Sequence, residues 1–188
     1  CRKIKYMFPK AHAAAYVTSA FRIAWYKVHK PLVYYATYFS TRFEDFDIDS
    51  MIKGYDAIKM KVEDLENKGY EITKKEGDVL ESLKIALEAT ARGIKFAPVD
   101  LNESLATTFK IKDENTMYPP FSSIDGLGDT VANNIVEERE KRDFLSIEEV
   151  QYRAKVSSTL IDKMRMMGIF DGMSESNQMS LFESFHGS

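Results

Sequence analysis

Apolar positions recur every three to four residues through the first third of the chain. Over residues 10–29 this period predicts a long amphipathic helix, which ends before Pro31. Pro31 also suits the first turn of a second helix, and the period continues to an acidic break at residues 44–49. A further apolar stripe covers residues 49–68 and is closed by Gly69, a typical residue at a helix C-terminus. We therefore predict that this part of the chain is helical.

The middle of the chain shows shorter and more mixed patterns. Residues 71–73 alternate like a short strand, and Asp78 is predicted to cap a helix that ends at Gly93. Residues 94–99 and 107–111 are rich in β-branched and aromatic side chains, which predicts two short strands joined by a loop.

Helical signals return in the last third. After a pair of prolines at residues 119–120, apolar spacing predicts a helix around Ile135. Residues 146–149 have the Ser-x-x-Glu pattern of a capping box, which predicts the start of a second helix. The pattern of residues 157–168 predicts a third helix. From Asp171 onward the chain is rich in Ser, Asn and Gly, which predicts a flexible tail. The expected fold class is mainly α with a few short strands.

Composition narrows the class of protein. The 188 residues are 44% hydrophobic, enough for an ordinary core. No apolar run approaches the roughly 20 residues of a membrane-spanning helix, so we expect a cytoplasmic chain without a membrane partner. A single cysteine, Cys1, excludes an internal disulfide, and no cysteine and histidine cluster has zinc-finger spacing. Because the chain opens at Cys1 in a charged and aromatic stretch, we expect it to be a piece of a longer protein.

Charge is distributed unevenly. The formal net charge is −3, yet residues 1–42 contain eight basic residues and no acidic one, and the rest of the chain contains eighteen basic and twenty-nine acidic residues. A cationic segment on an acidic chain indicates a phosphate-bearing partner at that end. A basic surface that faces an acidic neighbouring domain is an equally good interpretation.

Residues 124–128 read IDGLG and form the sharpest internal motif. A glycine, an apolar residue and a second glycine before a helix are typical of a helix-hairpin-helix turn, whose backbone N–H groups face a phosphate oxygen. The alternative is an ordinary turn between helices that needs glycine only for its geometry. Asp129 does not help an anion to bind, and the preceding prolines leave room for only a short first helix.

Residues 178–182 read QMSLF and resemble the motif with which bacterial proteins bind the sliding clamp. In that motif Gln178 would hydrogen-bond at the rim of a groove, and Leu181 and Phe182 would fill an apolar pocket. A Leu-Phe pair in a polar tail has no core of its own to join. The alternative is a tail that folds back onto its own domain.

The basic start of the chain is a third candidate. Lys3, Lys5 and Lys10 precede or begin the first helix, whose N-terminus already carries partial positive charge, so an anion there would be stabilising. His12 could donate a hydrogen bond to the same anion. The aromatic residues that follow are predicted to pack rather than to stack on bases: Trp25, Tyr26, Tyr34, Tyr35 and Tyr38.

Several segments together resemble one family: KYMFPKAHAAAYV, FAPVDLNES, IDGLG, VEEREKRDFLSIEEV, LIDKMRMMGIFD and QMSLF. The chain is similar to the carboxy-terminal part of the PolC-type replicative DNA polymerase III of low-GC Gram-positive bacteria. The similarity extends over essentially the whole chain except the last few residues.

The resemblance implies a role for each segment. Residues 1–80 would be the end of a fingers domain that contacts the incoming deoxynucleoside triphosphate and the template. Residues 81–172 would be a helix-hairpin-helix region on the primer-template duplex, and residues 173–188 a flexible tail with the clamp-binding motif. The implied site residues are Lys3, Lys5, Lys10 and His12 for the nucleotide, Gly126, Leu127 and Gly128 for DNA, and Gln178, Ser180, Leu181 and Phe182 for the clamp.

The catalytic aspartates of this family lie in a palm domain upstream of the fingers, where they hold two metal ions. The first carboxylate here is Glu44, and the aspartates of residues 45–49 suit helix capping better than metal binding. We therefore expect no catalytic residue, metal ligand or cofactor in this segment, and Mg²⁺ in the palm. The remainder of the polymerase chain is then a partner, and this segment alone is inactive.

Two other classes of function remain open. The chain could be a non-enzymatic helix-hairpin-helix module that is recruited to the clamp in DNA repair, although that leaves the basic start unexplained. It could also be a protein-interaction domain whose hairpin packs against protein. Steep loss of DNA affinity with salt would separate the DNA-binding alternatives from the last one.

Overall fold

The computed structural model describes residues 9–176. Within that range the structure is mainly helical with one small sheet, as the sequence predicts. The elements are α1 (Lys10–His29), α2 (Pro31–Arg42), α3 (Ile48–Lys53), α4 (Tyr55–Asn67), α5 (Lys74–Ala91), β1 (Lys95–Phe96), β2 (Lys110–Ile111), β3 (Thr116–Tyr118), α6 (Asp129–Lys141), α7 (Ile147–Arg153) and α8 (Ser158–Met166), with single 3-10 turns at Gly69–Glu71 and Phe121–Ser123.

The small sheet joins the two helical parts of the chain. Its strand order is β1-β3-β2, with β1 parallel and β2 antiparallel to β3. Met117 in the central strand is fully buried and lies opposite both Phe96 and Ile111. Strands at β1 and β2 confirm the prediction, whereas the central strand β3 was not predicted.

An aromatic cluster connects α2 to this sheet. The ring of Phe39 is fully buried, and its centroid lies 5.3 Å from that of Phe109 and 5.5 Å from that of Phe96. Tyr35, one turn earlier on α2, is also fully buried and donates a 2.9 Å hydrogen bond to Glu88 of α5. The buried side chains form one cluster that extends from α2 to Phe170.

Two local predictions about the first half are wrong. Gly54 has a φ of +91°, a backbone conformation that favours glycine, and it divides the predicted helix over residues 49–68 into α3 and α4. Residues 71–73 form no strand, because Thr73 caps α5. Thr73 Oγ1 accepts the Glu76 N–H while the Glu76 carboxylate accepts the Thr73 N–H, so the cap is not at Asp78.

Helix α1 has no buried residue in the described structure. Trp25 and Tyr26 are about half exposed, and their ring centroids lie 5.3 Å apart, whereas Tyr35 is fully buried, in line with the predicted packing. A 2.7 Å ion pair between Lys27 and Glu88 links the end of α1 to α5.

Residues 167–175, which follow α8, belong to the folded part of the chain. Phe170 is buried, and the N–H groups of Ile147 and Glu148 donate 3.0 Å hydrogen bonds to the carbonyls of Ser174 and Glu175. A flexible tail that begins at Asp171 is therefore contradicted for these first residues. The predicted domain boundary between residues 80 and 81 lies inside the continuous helix α5, and the division into domains stays a prediction.

Candidate nucleic-acid interface

The IDGLG segment forms a tight turn before α6, which we call the first hairpin (residues 124–128). Its first helix is reduced to the 3-10 turn Phe121–Ser123, in line with the short helix predicted from the prolines. Gly126 has a φ of +87°, and Gly128 is the N-cap of α6. The predicted need for glycine at the turn is thus confirmed at Gly126, since L-residues rarely adopt that conformation.

The two glycines of the first hairpin are exposed, whereas its apolar side chains are buried. Leu127 is 3% exposed, and its N–H donates a 2.9 Å hydrogen bond to the Ile124 carbonyl, so this residue stabilises the turn. No backbone hydrogen bond within residues 9–176 uses the Gly126 or Gly128 N–H as donor. Gly128 carries no side chain to cap α6, which leaves N–H groups and the positive end of the helix dipole for an anion.

A second hairpin (residues 154–157) joins α7 to α8 and was missed by the sequence analysis. Lys155 has a φ of +56°, Val156 is 3% exposed and Ser157 is the N-cap of α8. The same order of a positive-φ residue, a buried apolar residue and an N-cap residue occurs in the first hairpin. The signal was weak because Lys155 stands where the first hairpin has glycine, and only the helix start at Ser157 could be predicted.

Arg153 links the second hairpin to α6. Its guanidinium is mostly buried, lies 3.4 Å from the Glu138 carboxylate and 3.2 Å from that of Glu149, and donates to the carbonyls of Arg142 and Asp143. Its carbon also lies 4.6 Å from the centre of the Phe144 ring. These contacts hold the end of α7, and therefore the second hairpin, in a defined position.

Asp125 in the first hairpin pairs with two lysines. Its carboxylate lies 2.5 Å from Lys75 Nζ of α5 and 2.9 Å from Lys163 Nζ of α8, and Lys163 also donates a 2.7 Å hydrogen bond to the Asp125 carbonyl. The hydrogen bonds from Lys75 and Lys163, followed by their charges, lower the pKa of Asp125 from 3.8 to about 2.

This depressed pKa predicts a pH dependence of stability. Because the folded pKa of Asp125 lies below the unfolded one, its contribution is present above about pH 4 and is lost as the pH falls towards 2. We expect the wild-type chain to melt at a higher temperature than an Asp125→Asn variant at pH 7, with the difference shrinking between pH 4 and 2. Thermal unfolding across that range measures this, and a constant difference would contradict it.

The predicted nucleotide-side residues are only partly described. Lys10 begins α1 and His12 lies in its first turn, with its ring 4.5 Å from that of Tyr16. The first turn of α1 contains no acidic residue, and Pro9 provides no side-chain cap. The remaining predicted site residues lie outside the described range: Lys3, Lys5, Gln178, Ser180, Leu181 and Phe182.

The acidic residues 45–49 serve as helix-capping groups in part. Asp47 Oδ1 accepts a 3.1 Å hydrogen bond from the Ser50 N–H at the start of α3, which confirms the predicted capping at this residue. Among residues 9–176 no group of three or more histidine, cysteine or acidic side chains is placed to hold a metal ion. In the same range none of the helices combines the length and the apolar character needed to span a bilayer.

Each of the two hairpins lies before the N-terminus of a helix, the arrangement of a helix-hairpin-helix motif. Residues 93–180 match the family model described as helix-hairpin-helix motif. The chain is 52% identical to the PolC-type DNA polymerase III of Bacillus subtilis and 50% identical to that of Halalkalibacterium halodurans, over 182 residues and 97% of its length in both cases. With Streptococcus sanguinis the identity is 49% over 187 residues. The predicted resemblance to PolC-type DNA polymerase III is thereby confirmed.

The match concerns one segment of those proteins. The chain spans 13% of the length of each of these three curated relatives. Identity at this level over almost the whole chain indicates a shared fold for the segment.

Proposed function

We propose that this chain is a segment of a replicative DNA-directed DNA polymerase, a nucleotidyltransferase of the PolC type that acts in the cytoplasm. The proposal rests on sequence identity of 50% and 52% to two PolC-type relatives over 97% of the chain, together with the two hairpins of the structure. A non-enzymatic repair module is less well supported, because the relatives named above are polymerases.

The segment would bind the primer-template duplex through the two hairpins. Each hairpin ends at the N-terminus of a helix, where backbone N–H groups and the helix dipole favour a phosphate oxygen. Backbone contacts to phosphates carry no base information, so binding would not depend on DNA sequence, as a replicative polymerase requires.

The basic start of the chain would contact the incoming deoxynucleoside triphosphate and the template. Lys10 and His12 lie at an α1 N-terminus without an acidic neighbour in its first turn, and Lys3 and Lys5 precede it in the sequence. The segment would thus form the end of the fingers. Mg²⁺ and the catalytic aspartates would belong to the palm in the remainder of the polymerase chain.

The tail would tether the polymerase to the sliding clamp. Gln178 and Ser180 would contact the rim of a groove, and Leu181 and Phe182 would enter its apolar pocket. A tethered enzyme that leaves DNA rebinds from a high effective concentration instead of diffusing away.

Single-nucleotide primer extension tests the proposal. A palm-containing fragment of a PolC-type relative should extend a primer only when this chain is added. Gly128→Asp should restore extension less well, because the added carboxylate would repel a phosphate at the N-terminus of α6. A Cβ at Gly128 meets nothing within 4 Å, so the variant keeps its fold.

Gly77→Asp in α5 is the matched control, since a Cβ there also meets nothing within 4 Å. It should restore extension as well as the wild-type chain does. No extension with any chain, together with salt-sensitive duplex binding, would overturn the polymerase proposal and favour the non-enzymatic module.

A further inference from the structure

Two acidic residues, Asp125 in the first hairpin and Asp129 directly after it, differ in their contacts. Asp125 pairs with Lys75 and Lys163, whereas Asp129, four positions later at the start of α6, forms no ion pair with any residue of the described range. Asp125 precedes Gly126 and Asp129 follows Gly128 in the sequence, so each is next to a residue whose N–H would receive a phosphate. On charge alone, removal of either carboxylate should strengthen DNA binding.

The contacts of Asp125 connect the two hairpins. Lys163 lies on α8, the helix that follows the second hairpin, and it binds both the carboxylate and the carbonyl of Asp125. On the same side, the position of a Cβ on Gly126 lies 3.8 Å from Leu160 Cδ2 of α8. The contacts of Lys163 thus hold the turn of the first hairpin on the helix of the second, and Gly126 faces the same helix.

Lys75 adds a third element. It lies in the first turn of α5, and its ammonium group also lies 4.0 Å from the Asp45 carboxylate. Through Lys75 the first hairpin is held to the helical part of the chain that precedes the sheet. One carboxylate therefore connects three segments that are distant in sequence.

We infer that Asp125 is a positioning residue that fixes the separation of the two hairpins, so that both engage phosphates of one duplex at the same time. The inference rests on the proposed duplex binding. Two sites held at a fixed separation bind as a pair, because engagement of the first places the second at high effective concentration. The benefit of this geometry exceeds the repulsion between the Asp125 carboxylate and DNA.

Asp125→Asn and Asp129→Asn test this inference in the 188-residue chain. Each variant removes one negative charge beside the first hairpin and keeps the size of the side chain. Asp129→Asn should bind a DNA duplex as tightly as the wild type or more tightly. Asp125→Asn should bind about threefold to tenfold more weakly than Asp129→Asn, the effect expected from the loss of exposed ion pairs that order a paired site.

The salt dependence of affinity separates positioning from a general structural effect. If Asp125→Asn leaves only one hairpin engaged, the slope of log K against log salt should become shallower, since fewer phosphates are contacted. Asp129→Asn should keep the wild-type slope. Equal or tighter binding by Asp125→Asn, with an unchanged slope, would overturn the inference and leave Asp125 as a source of repulsion.

Amide hydrogen exchange gives a readout that does not need DNA. The hydrogen-bonded amides of Leu127, Val131 and Ala132 should exchange faster in Asp125→Asn than in Asp129→Asn, because the first hairpin has lost its contacts to α5 and α8. If the wild-type chain binds no duplex, the proposed duplex binding fails, and exchange still decides whether Asp125 holds the hairpin. Equal exchange in the two variants would show that it does not.

Discussion

Replacement of Phe39 by alanine is expected to lower the free energy of unfolding by about 3–5 kcal/mol, the usual cost of a buried phenylalanine. Phe39 is fully buried between α2 and the sheet. Its ring centroid lies between 5.3 and 6.4 Å from five other aromatic centroids, so the cavity would be lined by rigid rings that cannot close it. Single domains are stable by only about 5–15 kcal/mol, so this loss is large.

Urea unfolding measures the effect, and Phe21→Ala is the matched control. Phe21 lies on α1 and is 72% exposed, so the same substitution should change the free energy of unfolding by no more than about 0.5 kcal/mol. Similar losses for the two variants would mean that α1 contributes to the core as much as α2 does, contrary to the structure.

Simultaneous replacement of Leu181 and Phe182 by alanine is expected to weaken binding of the sliding clamp by at least about a hundredfold. Two apolar anchors that fill a pocket contribute about 2 kcal/mol or more each, and 1.4 kcal/mol corresponds to a factor of ten. Because these contacts are apolar, the affinity of the wild-type chain for the clamp should change little with salt. Surface plasmon resonance on immobilised clamp measures both quantities.

Phe185→Ala is the control for the clamp experiment. It removes the same type of side chain from the same tail, three positions beyond the motif, and should leave clamp affinity unchanged. Duplex affinity should be the same for all three chains. An unaltered clamp affinity in the double variant would remove the tether from the proposed function.

Helix positions were predictable because their signals are local. Ser146 and Ser157 cap α7 and α8 as their sequence context predicts. Pro31 is the first residue of α2, and α1 ends two residues before it. The elements that were missed depend on distant partners or on competing local signals. The three residues of β3 become a strand only because β1 and β2 pair with them from either side.

In the candidate site, too, features with a local sequence signal were predicted and features that depend on distant residues were not. Gly126 was predicted from its own motif, whereas Lys155 adopts a positive φ without being glycine and therefore left no signal in the sequence. Asp125 was visible as a residue of the motif, but its pairing with Lys75 and Lys163 depends on partners 50 and 38 positions away. Such pairing follows from the tertiary fold and not from local spacing.

The hydrogen bonds that hold Ser174 and Glu175 to the start of α7 have a mechanical consequence. In the sequence, only residues 176 and 177 separate Glu175 from the QMSLF motif, and even a fully extended chain covers only about 3.5 Å per residue. A clamp bound at Gln178 would pull on α7 through this short connection. Load would then pass directly to the second hairpin instead of being absorbed by slack in a long linker.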